Sequence, residues 1–499
     1  MRSRSPFLIF LIFILTCVEL EAAPPDKTAV PASTEIRALD YQSYTNANSV
    51  LAFASNVGNL FYDAGKLFGK NDGFYYPFTS IADINSGANR KTMVFDAGLW
   101  IGGKIGGETR VSVAEYSTQF VPGPMANTTF QPDNPSFRVY KLYRDSMGTN
   151  PNQDYLQWPV TQGAPVDGHG KPLLLGDQTL WTVYNDADPS RHTNNRAGSL
   201  GSLGVEVQQT VWQYNVSGKT NMVYVKYKLY NNGQQSIDSL YTSFWADPDI
   251  GKPSTDLVGC DTVRNLFFGY KGVDYDTIYA PQLPAWGGRL LQGLVAPAVG
   301  YFADFDGHPR FNYRNLPMTA FGKYINGTDP RDSTESYNYM RGLNRDGTPY
   351  TFEGVPTKFV HSGNPIAGVG DLDFAPSDRR MLVTCGPVTF LPGDSQQLVF
   401  EFAAVQAGDR LSALAQLERT LAPVSCCYGQ TGDIDEDGYI TLQDLADLVS
   451  YFTLTASPRC FESANIDGSS IIDMRDLSAL VKYLISPVGA VTLPPCPAF

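Results

Sequence analysis

VEVQQTVWQY (205–214) and MVYVKYKLY (222–230) flank a segment containing SGKT (217–220). In the second run Val223, Val225, Tyr227 and Leu229 fall on one face, with Tyr224, Lys226 and Lys228 on the other. A period of two is the mark of a half-buried strand, and a short polar segment rich in Gly and Ser suits a tight reversal. The two runs are therefore predicted to be paired antiparallel strands. NNG (231–233) supplies the next turn and LYTSFW (240–245) the next strand. MLVTCGPVTF (381–390), LPGDS (391–395) and QQLVFEFAAV (396–405) read as a later hairpin. From residue 73 to about 405 the chain keeps this texture, with no alternation of strand and helix. A mainly β fold of the β-sandwich type is expected. DRLSALAQLERTLA (409–422) is predicted to be a helix closing this body at 424, with two subdomains an open possibility.

The 499 residues allow two or three domains. Lys plus Arg number 37 against 50 Asp plus Glu, a net charge of −13 with no basic patch, which argues against a nucleic-acid partner. Residues 1–23 carry Arg2 and Arg4, then the apolar run 6–18, then Ala22 and Ala23. This is the plan of a secretory signal peptide, too short for a membrane span, so a secreted or cell-surface protein is expected. Residues 24–72 are weakly patterned; NANSVLAFASNVGNLF (46–61) is read as a short helix or a surface-wrapping segment.

Near the C-terminus stands GDIDEDGYITLQDLADLVSYF (432–452). Counting from Asp433, loop positions 1, 3 and 5 are Asp433, Asp435 and Asp437. Position 6 is Gly438, 7 is Tyr439, 9 is Thr441 and 12 is Asp444. A calcium ion takes about six to eight oxygens, and an EF-hand-type loop supplies them from these positions, with a backbone carbonyl at 7. The pattern returns 32 residues later: Asn465, Asp467, Ser469, Ile471, Asp473 and Asp476 occupy positions 1, 3, 5, 7, 9 and 12. Leu445, Leu448, Val449 and Phe452 recur as Leu477, Leu480, Val481 and Leu484. Two calcium sites are expected. The first has four ligand carboxylates and the second three, and Ser470 replaces the turn glycine in the second.

Two loop–helix units without entering helices, each with Asp at position 12, resemble a dockerin module over 432–485. The resemblance implies a pseudo-twofold helical module that docks on a cohesin-type domain or surface scaffold. It points to Leu442, Gln443, Met474 and Arg475 as partner-binding positions. Such modules accompany polysaccharide-degrading assemblies, so the alternative reading is a polysaccharide-degrading O-glycosyl hydrolase. GLWIGGKIGGE (98–108), GDQTLWTVYNDADP (176–189), FWADPDIGKPSTDLVGCDT (244–262) and YNYMRGLNRDGTPY (337–350) make the body similar to an uncharacterised family of secreted bacterial β-rich proteins. That similarity brings no activity with it.

Catalytic residues are not identifiable. Asp186, Asp188, Asp247, Asp249, Asp256 and Asp261 read first as turn and cap residues, then as a further calcium site or paired carboxylates. Trp100, Trp158, Trp181, Trp212, Trp245 and Trp286 read as core rings ahead of sugar-stacking platforms. Six cysteines remain after the leader, an even number suited to disulfides outside the cell. Cys426 and Cys427 are expected to bond to Cys460 and Cys496, and Cys260 to Cys385. No C-x-x-C pair is present and the four His are scattered, which argues against a zinc site.

Overall fold

In the computed structural model the alternation of 205–230 folds as read. Val207 sits opposite Leu229 and Val211 opposite Val225 in an antiparallel pair. Val223, Val225, Tyr227 and Leu229 are fully buried, while Lys226 and Lys228 stay half-buried on the other face. The structure describes residues 49–52, 58–62, 66–67, 74–77, 91–125, 130–131, 133–143, 152–167, 170–192, 197–214, 219–306, 308–421, 431–435, 439–453, 461–467, 472–487 and 489–493.

In chain order the strands are β1 (Ser49–Ala52), β2 (Gly58–Tyr62), β3 (Lys66–Leu67), β4 (Phe74–Tyr75), β5 (Asp96–Ile105), β6 (Glu108–Val113), β7 (Val121–Pro122), β8 (Tyr140–Tyr143), β9 (Gln178–Asn185), β10 (Val205–Gln213) and β11 (Met222–Asn231). They continue as β12 (Ile237–Asp247), β13 (Asp256–Asp261), β14 (Leu266–Lys271), β15 (Leu283–Gln292), β16 (Val295–Phe305), β17 (His308–Asn315), β18 (Ala320–Ile325), β19 (Tyr350–Phe352), β20 (Val355–Thr357), β21 (Arg379–Phe390) and β22 (Ser395–Ala407). The helices are α1 (Gln153–Leu156), α2 (Ser333–Met340), α3 (Arg410–Leu421), α4 (Leu442–Phe452), α5 (Phe461–Ala464) and α6 (Met474–Ile485).

One sheet runs β1-β2-β3-β5-β12-β21-β18, with β4 on β2 and β6 on β5; the other runs β13-β14-β15-β22-β11-β10-β9-β7, with β8 on β9. Their strand pairings are antiparallel. A continuous cluster joins the two inner faces. Leu99, Ile101, Phe244 and Val383 come from the first sheet, and Val225, Tyr227, Trp286, Phe400 and Phe402 from the second. Phe244 and Phe402 have ring centroids 4.6 Å apart, and Trp286 stacks on Phe402. Burial of each such side chain contributes about 1.5–3 kcal/mol, so this seam between sheets is the main source of body stability. Helix α3 covers the outer face of the second sheet through Ala413, Leu414, Leu417 and Leu421.

Several expectations are corrected. β21 and β22 do not form a hairpin: β21 pairs with β12 and β18, β22 with β11 and β15. LPGDS carries the chain from one sheet to the other, and Asn231–Gly233 does the same between β11 and β12. Asn231 fastens the two arches together. Its amide nitrogen donates to the Phe390 carbonyl at 2.8 Å and its backbone N–H to the Asp394 carbonyl at 3.1 Å. Within 46–61 the described residues, 49–52 and 58–61, are strand and not helix. β1 pairs with β2, and the row continues through β3 onto β5.

Cys260 and Cys385 are free, buried thiols rather than a disulfide. They lie on β13 and β21, in different sheets, and pack as small apolar side chains of the shared core. Burial raises both thiols, Cys385 to about 12. Cys426, Cys427, Cys460 and Cys496 lie outside the described residues. Five of the six tryptophans are buried, and only Trp212 is partly exposed.

Candidate metal centre

A separate cluster of apolar residues lies at the C-terminal end. Ile434, Leu448, Ala464, Ile466 and Leu480 are all buried together. Ile434 and Ile466 stand 32 residues apart, as do Leu448 and Leu480, so matching positions of the sequence repeat meet in one small core. This core fixes the position of the first acidic loop relative to α4.

Asp433, Asp435 and Asp444 each bring a carboxylate oxygen to within 4.8 Å of the others. Asp433 and Asp444 are buried and Asp435 is half-buried. Calcium–oxygen distances are about 2.3–2.6 Å, so oxygens of a single shell lie at most about 5 Å apart. The three carboxylates fit one divalent ion. Asp437 lies outside the described residues; Tyr439, the carbonyl position, has an exposed side chain.

Asp444 also builds the loop. Its Oδ1 accepts from the N–H of Ile434 at 2.6 Å and of Asp435 at 3.1 Å, and its Oδ2 from the N–H of Thr441 at 2.7 Å. The Thr441 hydroxyl accepts from the N–H of Gln443 at 3.0 Å, completing a capping box on α4. A single carboxylate thus folds the loop over the helix N-terminus and offers its remaining lone pairs to the metal position.

The described residues of the second loop make matching bonds. Asp476 is buried and accepts from the N–H of Asp467 at 2.9 Å and of Asp473 at 2.7 Å. It differs in its charge partner. The Arg475 guanidinium lies 2.9 Å from Asp473 and 3.6 Å from Asp467, so a side-chain cation sits on two of the predicted ligands. Ser469 and Ile471 lie outside the described residues, and Asn465 is half-buried.

Of the predicted partner positions, Leu442 is 73% and Met474 61% exposed, each at the start of its helix. Gln443 is exposed and donates to Asp447. Leu477, Ser478, Val481, Lys482 and Ile485 line an open groove of about 370 Å³ along α6.

The body aspartates divide differently. Asp186 accepts from the N–H groups of Leu203 and Val205 and from the Ser112 hydroxyl, and Asp188 caps the turn at 189–191. Asp256 is held by Lys271, and Asp261 by Arg264. These are the turn, cap and ion-pair roles. Asp247 and Asp249 instead meet Asp378, again with oxygens within 4.8 Å. Here Arg380, fully buried, lies 3.4 Å from Asp247 and 3.0 Å from Asp378. Tyr116 donates to Asp247 at 2.7 Å. Two acidic clusters therefore have metal-holding spacing, and the body cluster carries its own counter-charge. Asp378 and Arg380 went unflagged in the sequence; SDRR immediately before an apolar strand was the available signal.

No family model and no curated protein matches the chain. Among solved structures, a family GH92 inverting mannosidase from Bacteroides thetaiotaomicron aligns with a TM-score of 0.22 and 8% identity, over 57% of this chain and 24% of that enzyme. This chain thus aligns with about a quarter of that enzyme's length, and at that score the likeness carries no inference. Among the described residues no helix is long and apolar enough to cross a membrane.

Proposed function

We propose that this chain is a secreted calcium-binding attachment protein. Its C-terminal dockerin-like module binds calcium through its two loops and presents α4 and α6 to a cohesin-type domain or surface scaffold. The β-sandwich body is the attached part and acts as a binding or structural domain. The observation that carries the reading is the convergence of Asp433, Asp435 and Asp444 over the N-terminus of α4. When bound, calcium would be held by these carboxylates together with Asp437, Thr441 and the Tyr439 carbonyl, neutralising a loop that is otherwise dense in negative charge. The exposed apolar side chains Leu442 and Val449 on α4, and Met474 and Ile485 on α6, support a protein-facing role. Export rests on the sequence of residues 1–23.

The test is calorimetry of the full chain with CaCl2, followed by binding to a panel of cohesin domains in CaCl2 and in EDTA. Calcium-dependent heat with Asp433→Ala abolishing the tighter phase is expected. Absence of calcium binding would overturn the reading of the loops. Calcium binding without any calcium-dependent partner would overturn only the attachment role.

A further inference from the structure

The sandwich has an open side where β18 ends the first sheet and β13 ends the second. Unpaired strand edges invite pairing with other chains, and natural folds cover them. Residues 358–377 cover both. The N–H of Phe321 donates to the Lys358 carbonyl at 3.0 Å and the N–H of Val360 to the Phe321 carbonyl at 3.1 Å, which bridges the segment to β18 at Phe321. One residue later the same segment turns to β13. The N–H of Cys260 donates to the His361 carbonyl at 3.1 Å, the N–H of Val258 to Asp373 at 3.2 Å, and the N–H of Ser377 to the Asp256 carbonyl at 3.1 Å.

His361 is the corner of this strap. Its φ is +55°, in the left-handed region that non-glycine residues rarely adopt. Asp371 holds it there, accepting from its N–H at 2.8 Å and lying 3.2 Å from Nδ1. A carboxylate only accepts, so Asp371 fixes the tautomer with the proton on Nδ1. Nε2 is then a bare nitrogen, buried and without a hydrogen-bond partner. It faces Asp373 Oδ1 at 3.8 Å, too far for a hydrogen bond, and that oxygen accepts from Arg379 Nη2 at 2.6 Å. Lys323 from β18 adds a further cation. The Cys260 thiol on β13, directed at the Val360 carbonyl, lies in the field of Asp371 and Asp261, and Tyr270 on β14 in that of Asp373 and Arg410.

We propose that residues 358–377 form an acid-released strap whose latch is His361. A proton on Nε2 creates a buried donor 3.8 Å from Asp373 Oδ1, beyond hydrogen-bond reach. The imidazolium must then shift toward the oxygen that Arg379 also holds, or leave the corner. Leaving frees the His361 carbonyl from β13 and exposes both strand edges. Burial holds the imidazole below its ordinary value of 6.5, against the opposing pull of Asp373 and Asp371. A base lowered by folding stabilises the closed strap above the unfolded value, and that stabilisation is lost as pH falls through the folded value.

The experiment is hydrogen–deuterium exchange of the full chain at pH 7.5 and 5.0, corrected for intrinsic rates, with β11 as the internal reference. Protection over 256–261 and 358–377 is expected to fall about tenfold or more at pH 5.0 relative to β11, as loss of one buried contact of this kind would give. His361→Asn tolerates the left-handed backbone and keeps a donor for Asp371, and its profile should be flat with pH. Should that variant fail to fold, Lys323→Gln is the second probe. Removing a competing cation eases protonation, and the acid loss should shrink. Wild-type protection that is unchanged or higher at pH 5.0 overturns the proposal. So does an equal acid loss in His361→Asn, or in Lys323→Gln.

Discussion

Asp444→Ala should unfasten the first loop even without metal. Three backbone donors end on this one carboxylate: Ile434, Asp435 and Thr441, at 2.6, 3.1 and 2.7 Å. A donor left unsatisfied costs about 1–3 kcal/mol when buried and less where water can reach it. The Ile434 bond is buried and the other two are partly buried, so about 3–5 kcal/mol is expected in total. The capping-box share of that is about 1 kcal/mol. Among the described residues the core beside it has five fully buried apolar side chains, a small core with little stability to spare. Asp444→Asn keeps an oxygen for Ile434 and Asp435 but turns an amide toward Thr441, so its loss should be smaller while its calcium affinity still falls. Hydrogen exchange of α4 in EDTA separates the two roles. A loss of 3 kcal/mol is about 150-fold in protection, far beyond the error of the method. Protection in Asp444→Ala within twofold of wild type, or identical losses in the two variants, would refute the assignment of a structural role to this ligand.

Other outcomes follow from the same charges and contacts. Arg475→Ala removes an exposed cation from Asp473 and Asp467; solvent screens such a pair, so calcium affinity of the second loop should rise by about fivefold at most in calorimetry, and a fall would contradict the competition. Lys271→Ala leaves the carboxylates of Asp256 and Asp276, 2.7 and 3.2 Å away, without their shared cation, and should cost the body about 3–5 kcal/mol in denaturant melts. Lys271→Met should fail similarly, because the deficit is charge and not volume. Cys260 and Cys385 should resist thiol reagents until the body unfolds, and reductant should leave the body's melting temperature unchanged; rapid labelling of the native chain at either thiol would contradict their burial.

The parts of this molecule that could be read from sequence are those set by neighbours along the chain. A period of two places Val223, Val225, Tyr227 and Leu229 on one face whatever they pack against, and all four are buried. Aspartates at alternate positions followed by an apolar helix specify a loop whose carboxylates converge, and Asp433, Asp435 and Asp444 do so. Partner choice across the fold is another matter. The alternation in 381–405 fits a hairpin and an inter-sheet arch equally well. The choice falls to Asn231, far upstream, which ties the arch at Asp394 to its own. The even count of cysteines suggested a bridge, yet Cys260 and Cys385 serve separate sheets as small core residues. Charge follows the same rule. In sequence Asp247 reads as a turn residue first and as a calcium ligand second. Its counter-charge, Arg380, arrives on a strand that pairs with β12 along its length. Whether an acidic cluster is a metal site or an internally neutralised one is therefore decided by where distant cations land. Arg475 is the exception that sequence does display. It stands two residues from Asp473, near enough along the chain to distinguish the second loop from the first before any fold is known.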